Sequence, residues 1–362
     1  MINGMHSKDD LQWLEKNNLL EPAKENSFHF KHVIRNCLGI KGDEQLLIIG
    51  DRGYEEGRLS PIIALSYYLA AKELNVPAKL ILQEDPKYKG DRADQEVVDA
   101  LYDFRPGNCL ALTLSARLGS IKEISHSFRG FIRENRHRFV STTSLGQLTT
   151  DKLPLLINAM DVDYEKIRKK GRELKQILDN GHLIHVETKA GTDFYMNKKG
   201  KKAVASIGNF TEQGEGGNIP IGEVFTPPKW KHAEGTIVID GSSSYREGTQ
   251  LIKTPITLTV EKDEIVDIKG GIEAQKLEGS LVWAYRKAKH PWGIKRIGEF
   301  GIGINPKARI VGATIIDEKA LGTAHFGIGS NYWFGGTIYA IVHYDQIVKN
   351  PSITIDDKPL DI

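Results

Sequence analysis

Cysteine is almost missing from this chain: Cys37 and Cys109 are the only two in 362 residues, and neither sits in a C-x-x-C pair. That excludes a disulfide framework and a thiolate zinc site and fits a reducing compartment. No segment approaches the roughly 20 consecutive apolar residues that a bilayer span needs. The opening stretch "MINGMHSKDDLQWLEKNN" has no apolar run of the kind a signal peptide carries. Net charge is also scarce: 49 Lys and Arg face 47 Asp and Glu, for a balance of +2. A chain without a broad basic field is not built around nucleic acid. The expectation from these absences is a soluble cytoplasmic protein with no membrane or nucleic-acid partner, whose chemistry lies in local clusters of charge. No internal repeat or low-complexity tract is present.

What is present is globular in character, with 40% hydrophobic and 27% charged residues. The length exceeds one ordinary core and predicts two domains, 1–160 and 161–362. In the first, "EQLLIIGD", "AKLILQED" and "NCLALTLSA" read as buried strands. They alternate with "LSPIIALSYYLAAKEL", "DQEVVDALYDF" and "GSIKEISHSFRGFIREN", which carry helical periodicity. This order predicts an α/β domain with a parallel sheet. "VDYEKIRKKGRELKQILDNG", residues 162–181, reads as one amphipathic helix with Ile167, Leu174 and Leu178 inside. Beyond Gly181 the pattern changes to alternating strands with tight turns, broken by one helix near "GIEAQKLEGSLVWAYRKAK". The second domain is therefore expected to be mainly antiparallel α+β, and it holds the candidate metal-binding residues.

Four pieces of that domain place ionisable groups among glycines and apolar residues: "NIPIGEVFTPP" with Glu223, "RIGEFGIGINP" with Glu299, "EKALGTAHFGIGSNYWFGG" with His325 and Tyr332, and "IVHYD" with His343 and Asp345. Buried charges need a partner or a metal, because losing hydration costs several kcal/mol. The run "GTIYAIVHYDQIV", Gly336 to Val348, reads as a buried strand, and residues i and i+2 of a strand share a face. His343 and Asp345 then stand side by side, able to hold one cation, to straddle two, or simply to bond each other. Three carboxylates and two imidazoles suit zinc, cobalt, manganese or iron(II) better than calcium. "GEFGIG" lacks the spacing of a phosphate loop, and "IIGDRGYEEG" lacks the Gly-Lys-Ser/Thr of one. His185, His232 and His290 read as strand, loop and helix-end residues, and Glu318 in "DEKALGT" as an exposed charge, with a proton shuttle as the alternative.

Taken together, "NIPIGEVFT", "GEFGIGINP", "EKALGTAHFGIGSNY", "HYD" and the earlier "KAGTDFYM" resemble the aminopeptidase T family of metallo-aminopeptidases. The resemblance is strongest after Gly181. It implies that Glu223, Glu299, His325, Tyr332, His343 and Asp345 ring two divalent ions (zinc, cobalt or manganese), with Glu299 or Asp345 bridging them. It also implies a homodimer acting on peptides with a free N-terminus. On that reading a metal-bound hydroxide attacks the scissile carbonyl, and Tyr332 ligates weakly or donates to the oxyanion.

A ring-cleaving dioxygenase acting on dihydroxypyridine resembles the same architecture and gives a second reading. A mononuclear iron(II) site needs two histidines and one carboxylate, which His325, His343 and Asp345 could supply. Retention of Glu223 and Glu299 argues for two metals, since extra buried carboxylates are costly when unpaired. A non-catalytic binding module is a third reading, and no basic, aromatic-striped or coiled segment favours it.

Overall fold

The structure is a computed structural model that describes residues 8–86, 88 and 90–361; the first seven residues of the N-terminal stretch lie outside it. The chain forms two compact units. One comprises residues 1–161 together with 208–220, and the other 162–207 with 221–362. Among the described residues no helix is long and apolar enough to cross a membrane.

The first unit is the α/β domain. Its strands β1 (Leu46–Asp51), β2 (Ala78–Gln83), β3 (Cys109–Thr113) and β4 (Arg138–Thr142) lie in the order β2-β1-β3-β4 and are all parallel. A fifth strand, Gly216–Asn218, joins the sheet beside β4. Continuous apolar runs make the central strands because both faces are covered: every residue of β1, β3 and β4 is buried. Helix α1 (Leu59–Glu73), carrying "SPIIALSYYLAA", is buried nearly all round, so its sequence is apolar rather than striped.

The second unit opens with helix α2 (Tyr164–Asn180). Asp163 caps it by accepting from the Lys166 amide at 3.1 Å, and Ile167, Leu174 and Leu178 face inward. At the other end the buried Lys198 ammonium donates to the Leu178 carbonyl at 2.6 Å and to that of Lys201 at 2.8 Å. A cation there satisfies a carbonyl that the helix leaves open. Two seven-stranded antiparallel sheets follow. The sheet that carries the functional residues contains β5 (Glu223–Thr226), β6 (Ile297–Gly303), β7 (Thr323–Gly329) and β8 (His343–Lys349), adjacent in the order β8-β7-β6-β5. Phe326 of β7 packs against Phe300 of β6 at 5.6 Å. It also meets Phe194 of the other sheet edge-on at 5.1 Å. All three rings are fully buried, so this face is the core between the sheets. Helix α3 (Ile272–Lys287) is the one expected from "GIEAQKLEGSLVWAYRKAK".

One expected strand is shorter than its sequence pattern. Strand structure in "GTIYAIVHYDQIV" begins only at His343, and residues 336–342 are irregular. Their apolar residues pack without pairing: Ile338 and Val342 are buried, and the Ile338 amide donates to the Asn331 side-chain oxygen at 2.7 Å rather than to a neighbouring strand.

Candidate metal centre

Strand register assembles the site. Across the sheet Glu299, Gly327 and Asp345 form one row, and Phe225, Gly301, His325 and Ile347 the next. Glu223 pairs with Gly303, and His343 with Gly329. Directly opposed residues share a face, and so do residues two apart on a strand. The sheet therefore turns Val224, Phe300, Ile302, Phe326 and Ile328 to the core, and five ionisable side chains to the opposite face. Glycines alternate with those side chains because the chains lie across them. A Cβ on Gly301 would stand 2.0 Å from His325 Nε2, and one on Gly327 would stand 2.7 Å from His343 Cε1 and 2.8 Å from Glu299 Cβ. The glycine-rich wording of "GEFGIG" and "HFGIG" is the space the site occupies.

Glu299, His343 and Asp345 form one group whose ligand atoms lie within 4.8 Å of one another, and Glu223, Glu318 and His325 form a second. In the first, His343 Nε2 is 3.1 Å from Asp345 Oδ1 and 3.5 Å from Glu299 Oε2. His343 Nδ1 donates to the Ser330 carbonyl at 2.8 Å, which leaves Nε2 as the metal-facing atom. Glu299 Oε2 and Asp345 Oδ1 are buried with no aligned hydrogen-bond donor among the described residues. Lone pairs on three atoms thus face one another across a space that a cation fits.

His325 is wired differently. Its Nε2 meets Glu299 Oε1 at 3.2 Å and Glu223 Oε2 at 3.6 Å, while its buried Nδ1 has no hydrogen-bond partner among the described residues. Nε2–H donating to Glu299 accounts for that pattern. Burial alone would lower both imidazoles. The surrounding carboxylates overcome it and push His325 up to about 9 and His343 up to about 10. Asp345, which burial would raise, is drawn down to about 2 chiefly by His343. Glu299 is raised, burial outweighing its histidine neighbours. The electrostatics demand positive charge between Glu299, His343 and Asp345, and the oxygen and nitrogen donors suit a borderline divalent metal.

Lys319 is the residue that sequence reasoning missed. Its ammonium is fully buried, donates to Glu223 Oε1 at 2.6 Å, and is bonded to Glu318. Glu318, expected as an exposed charge, is instead turned inward with 12% of its side chain accessible. Its carboxyl is pushed up to about 8 by burial and by the facing Glu223. Glu223 is therefore not an unpaired carboxylate awaiting a second metal, as the sequence argument for two ions assumed. No periodicity marks a lysine in a turn as buried, so the sequence carried no signal for it.

Of the six expected ligands the structure gathers Glu223, Glu299, His325, His343 and Asp345. Tyr332 is not among them: it lies in the turn Tyr332–Phe334 with 67% of its surface exposed, its ring edge-on to Tyr339 at 6.1 Å. The iron triad drawn from sequence also changes, because the carboxylate that groups with His343 and Asp345 is Glu299, and His325 falls in the other group. His185 stacks on Tyr195 at 3.9 Å and bonds Asp193 at 2.8 Å on a strand.

The profile of the family "NicX: 2,5-dihydroxypyridine 5,6-dioxygenase" matches residues 153–360, which include all of these groups. A curated 2,5-dihydroxypyridine 5,6-dioxygenase of Pseudomonas putida is 31% identical over 191 residues, 50% of this chain and 53% of the relative, so the match spans about half the relative's length. The solved structure of 2,5-dihydroxypyridine dioxygenase from Pseudomonas putida superposes with a TM-score of 0.71 at 20% identity, covering 94% of this chain and 96% of that one. Wild-type AmpT from Thermus thermophilus superposes with a TM-score of 0.64 at 14% identity, covering 96% and 98%. At those identities the two structures establish the fold, a parallel α/β domain followed by a mainly antiparallel one. The aminopeptidase reading is overturned: AmpT shares the architecture, but the family profile and the curated relative point to an oxidoreductase and not to a hydrolase or protease. The match covers more than half of the chain, which belongs to the NicX, 2,5-dihydroxypyridine 5,6-dioxygenase, family.

Proposed function

We propose that this protein is a ring-opening dioxygenase acting on a dihydroxylated pyridine, with one iron(II) held by Glu299, His343 and Asp345. The convergence of those three ligand atoms, two of them bare buried carboxylate oxygens, carries the reading. The family profile and the curated relative supply the reaction class. Iron(II) supplies the electron exchange that lets dioxygen react with an electron-rich ring, chemistry that side chains alone lack. Both oxygen atoms enter the product as one ring carbon–carbon bond breaks, so no outside reductant is consumed.

The chain's own groups set the geometry. The Ser330 carbonyl fixes the tautomer and aim of His343. His325 holds Glu299 Oε1, leaving Oε2 toward His343. Lys319 neutralises Glu223, while Glu318, its carboxyl raised to about 8, keeps its proton near neutrality. With that ammonium in place, one divalent ion suffices for Glu299 and Asp345, which favours a mononuclear centre.

The test is to load purified protein with iron(II) and supply 2,5-dihydroxypyridine in an oxygen-electrode cell. One oxygen consumed per ring lost, with one iron per chain, is expected. His343→Ala and Asp345→Ala should lose iron and oxygen uptake together. No uptake by an iron-loaded wild type, or uptake that survives loss of His343, would sink the reading.

A further inference from the structure

An aromatic cluster stands against the metal-facing histidine. Phe225 follows Glu223 on β5, two residues along the same face. Trp333 and Phe334 come from the turn after β7. The Trp333 ring lies 4.5 Å from Phe334 and 5.7 Å from Phe225, and the two phenyl rings meet edge-on at 5.2 Å. The centroids of both Trp333 and Phe334 are 6.4 Å from the His343 imidazole. Accessibility separates the three. Phe225 and Phe334 are 4% and 8% exposed and belong to the wall, whereas Trp333 keeps 54% of its surface accessible.

The turn that presents Trp333 is held in place. Asn331 is 1% exposed, donates to the Gly298 carbonyl at 2.9 Å and accepts from the Ile338 amide at 2.7 Å. Gly336 lies so close that a Cβ there would stand 1.9 Å from the Asn331 carboxamide carbon. Ser330, one residue earlier, supplies the carbonyl that orients His343. One anchored loop therefore aims a metal ligand and sets an indole beside it.

From this we infer that Trp333 is the substrate-positioning residue of the site, its indole forming the platform on which a planar dihydroxylated nitrogen heterocycle stacks beside His343. The inference rests on the dioxygenase reading and adds the residue that selects a flat aromatic substrate. Offset stacking suits it: an indole gives a large rigid face at small conformational cost, and stacking fixes the ring plane while leaving rotation within that plane to the metal and the polar groups. Phe225 and Phe334, both buried, pack against the indole and back it.

The experiment compares wild type, Trp333→Phe and Trp333→Leu, each iron-loaded. Iron per chain is measured by emission spectroscopy, 2,5-dihydroxypyridine binding by anaerobic calorimetry, and turnover by oxygen uptake. The expected result is unchanged iron in all three. Trp333→Leu should bind the ring at least tenfold more weakly, with KM raised in step and kcat within about threefold of wild type. Trp333→Phe should recover most of the affinity, since a smaller aromatic face still stacks. A purely structural role for the indole would instead lower iron content or kcat, and that outcome overturns the inference. So does a Trp333→Leu protein that binds the ring as tightly as wild type. If wild type itself neither binds nor opens the ring, the functional reading fails first and the inference with it; if wild type turns over and only the variants are indifferent, the inference alone is wrong.

Discussion

Lys319 shows how one side chain decides the character of a site. A buried ammonium between two carboxylates is tolerated because each charge supplies the other's missing hydration, and removing one partner strands the rest. Lys319→Met should therefore destabilise the protein by about 3–5 kcal/mol, read from urea unfolding of the metal-free protein. Adding Glu223→Gln to that variant should recover part of the loss, because one of the stranded charges is then gone. If Lys319→Met alone unfolds as wild type does, Glu223 and Glu318 are not held by that ammonium.

Asp317, two residues earlier, offers a test of protonation. It is fully buried and accepts from Ser242 Oγ at 2.6 Å and from the Val311 and Gly312 amides at 2.7 and 3.0 Å. Burial outweighs those donors and raises its carboxyl to about 6. A folded-state value above the unfolded one means that the native state binds the proton more tightly. This residue's contribution is thus most favourable below the unfolded value of about 4 and declines as pH rises through 6. Asp317→Asn removes that dependence. The stability of wild type relative to Asp317→Asn should fall by roughly 2–3 kcal/mol between pH 4 and pH 7.5, measured from paired urea curves at each pH. A pH-independent difference would mean that Asp317 does not change its proton affinity on folding.

At the level of elements, the legible part of the sequence was the part written in apolar patterns. Buried runs such as "QLLIIGD" announced the parallel strands, and the spacing of Ile167, Leu174 and Leu178 announced the inward face of α2. The pair His343 with Asp345 was also readable, because alternation along one strand fixes faces, whereas Glu299 joins it only through the cross-strand register at Gly327. Tertiary contacts were not readable. The apolar residues 336–342 mimic a strand, yet the Ile338 amide donates to Asn331, and Tyr332 lies 67% exposed in its turn although its position in the motif implied a ligand. The glycines of β6 and β7 carry their own prediction. An alanine methyl at Gly327 meets both His343 and Glu299, so Gly327→Ala should force those ligands apart and cost about 1–3 kcal/mol, the usual range for overpacking. Iron content should fall well below that of wild type while far-ultraviolet circular dichroism keeps the same strand and helix signal. Full iron occupancy in Gly327→Ala would show that the site does not need that space.

At the scale of the whole molecule the chain passes between its two units three times, and the excursion of 208–220 into the first unit is what a linear reading of domain boundaries does not contain. That excursion supplies the edge of the parallel sheet. Phe139, Val140 and Ser141 of β4 pair with Gly216, Gly217 and Asn218, and Phe210 donates its amide to the Cys37 carbonyl at 3.1 Å. Gly216 makes the pairing possible, since a Cβ there would stand 2.0 Å from the Phe139 ring and 2.4 Å from its carbonyl oxygen. A β-branched side chain would push the strand off β4 and uncover a fully buried edge, a template for association with other chains. All three proposed iron ligands, by contrast, belong to the second unit. Gly216→Val in the full-length protein should therefore separate the two properties. Amide hydrogens of residues 138–142 should exchange markedly faster, and the protein should aggregate at a lower temperature, while iron per chain in the freshly purified protein stays at the wild-type level. If iron is lost in step with protection of β4, the metal centre depends on the first unit's sheet and the two units fold as one.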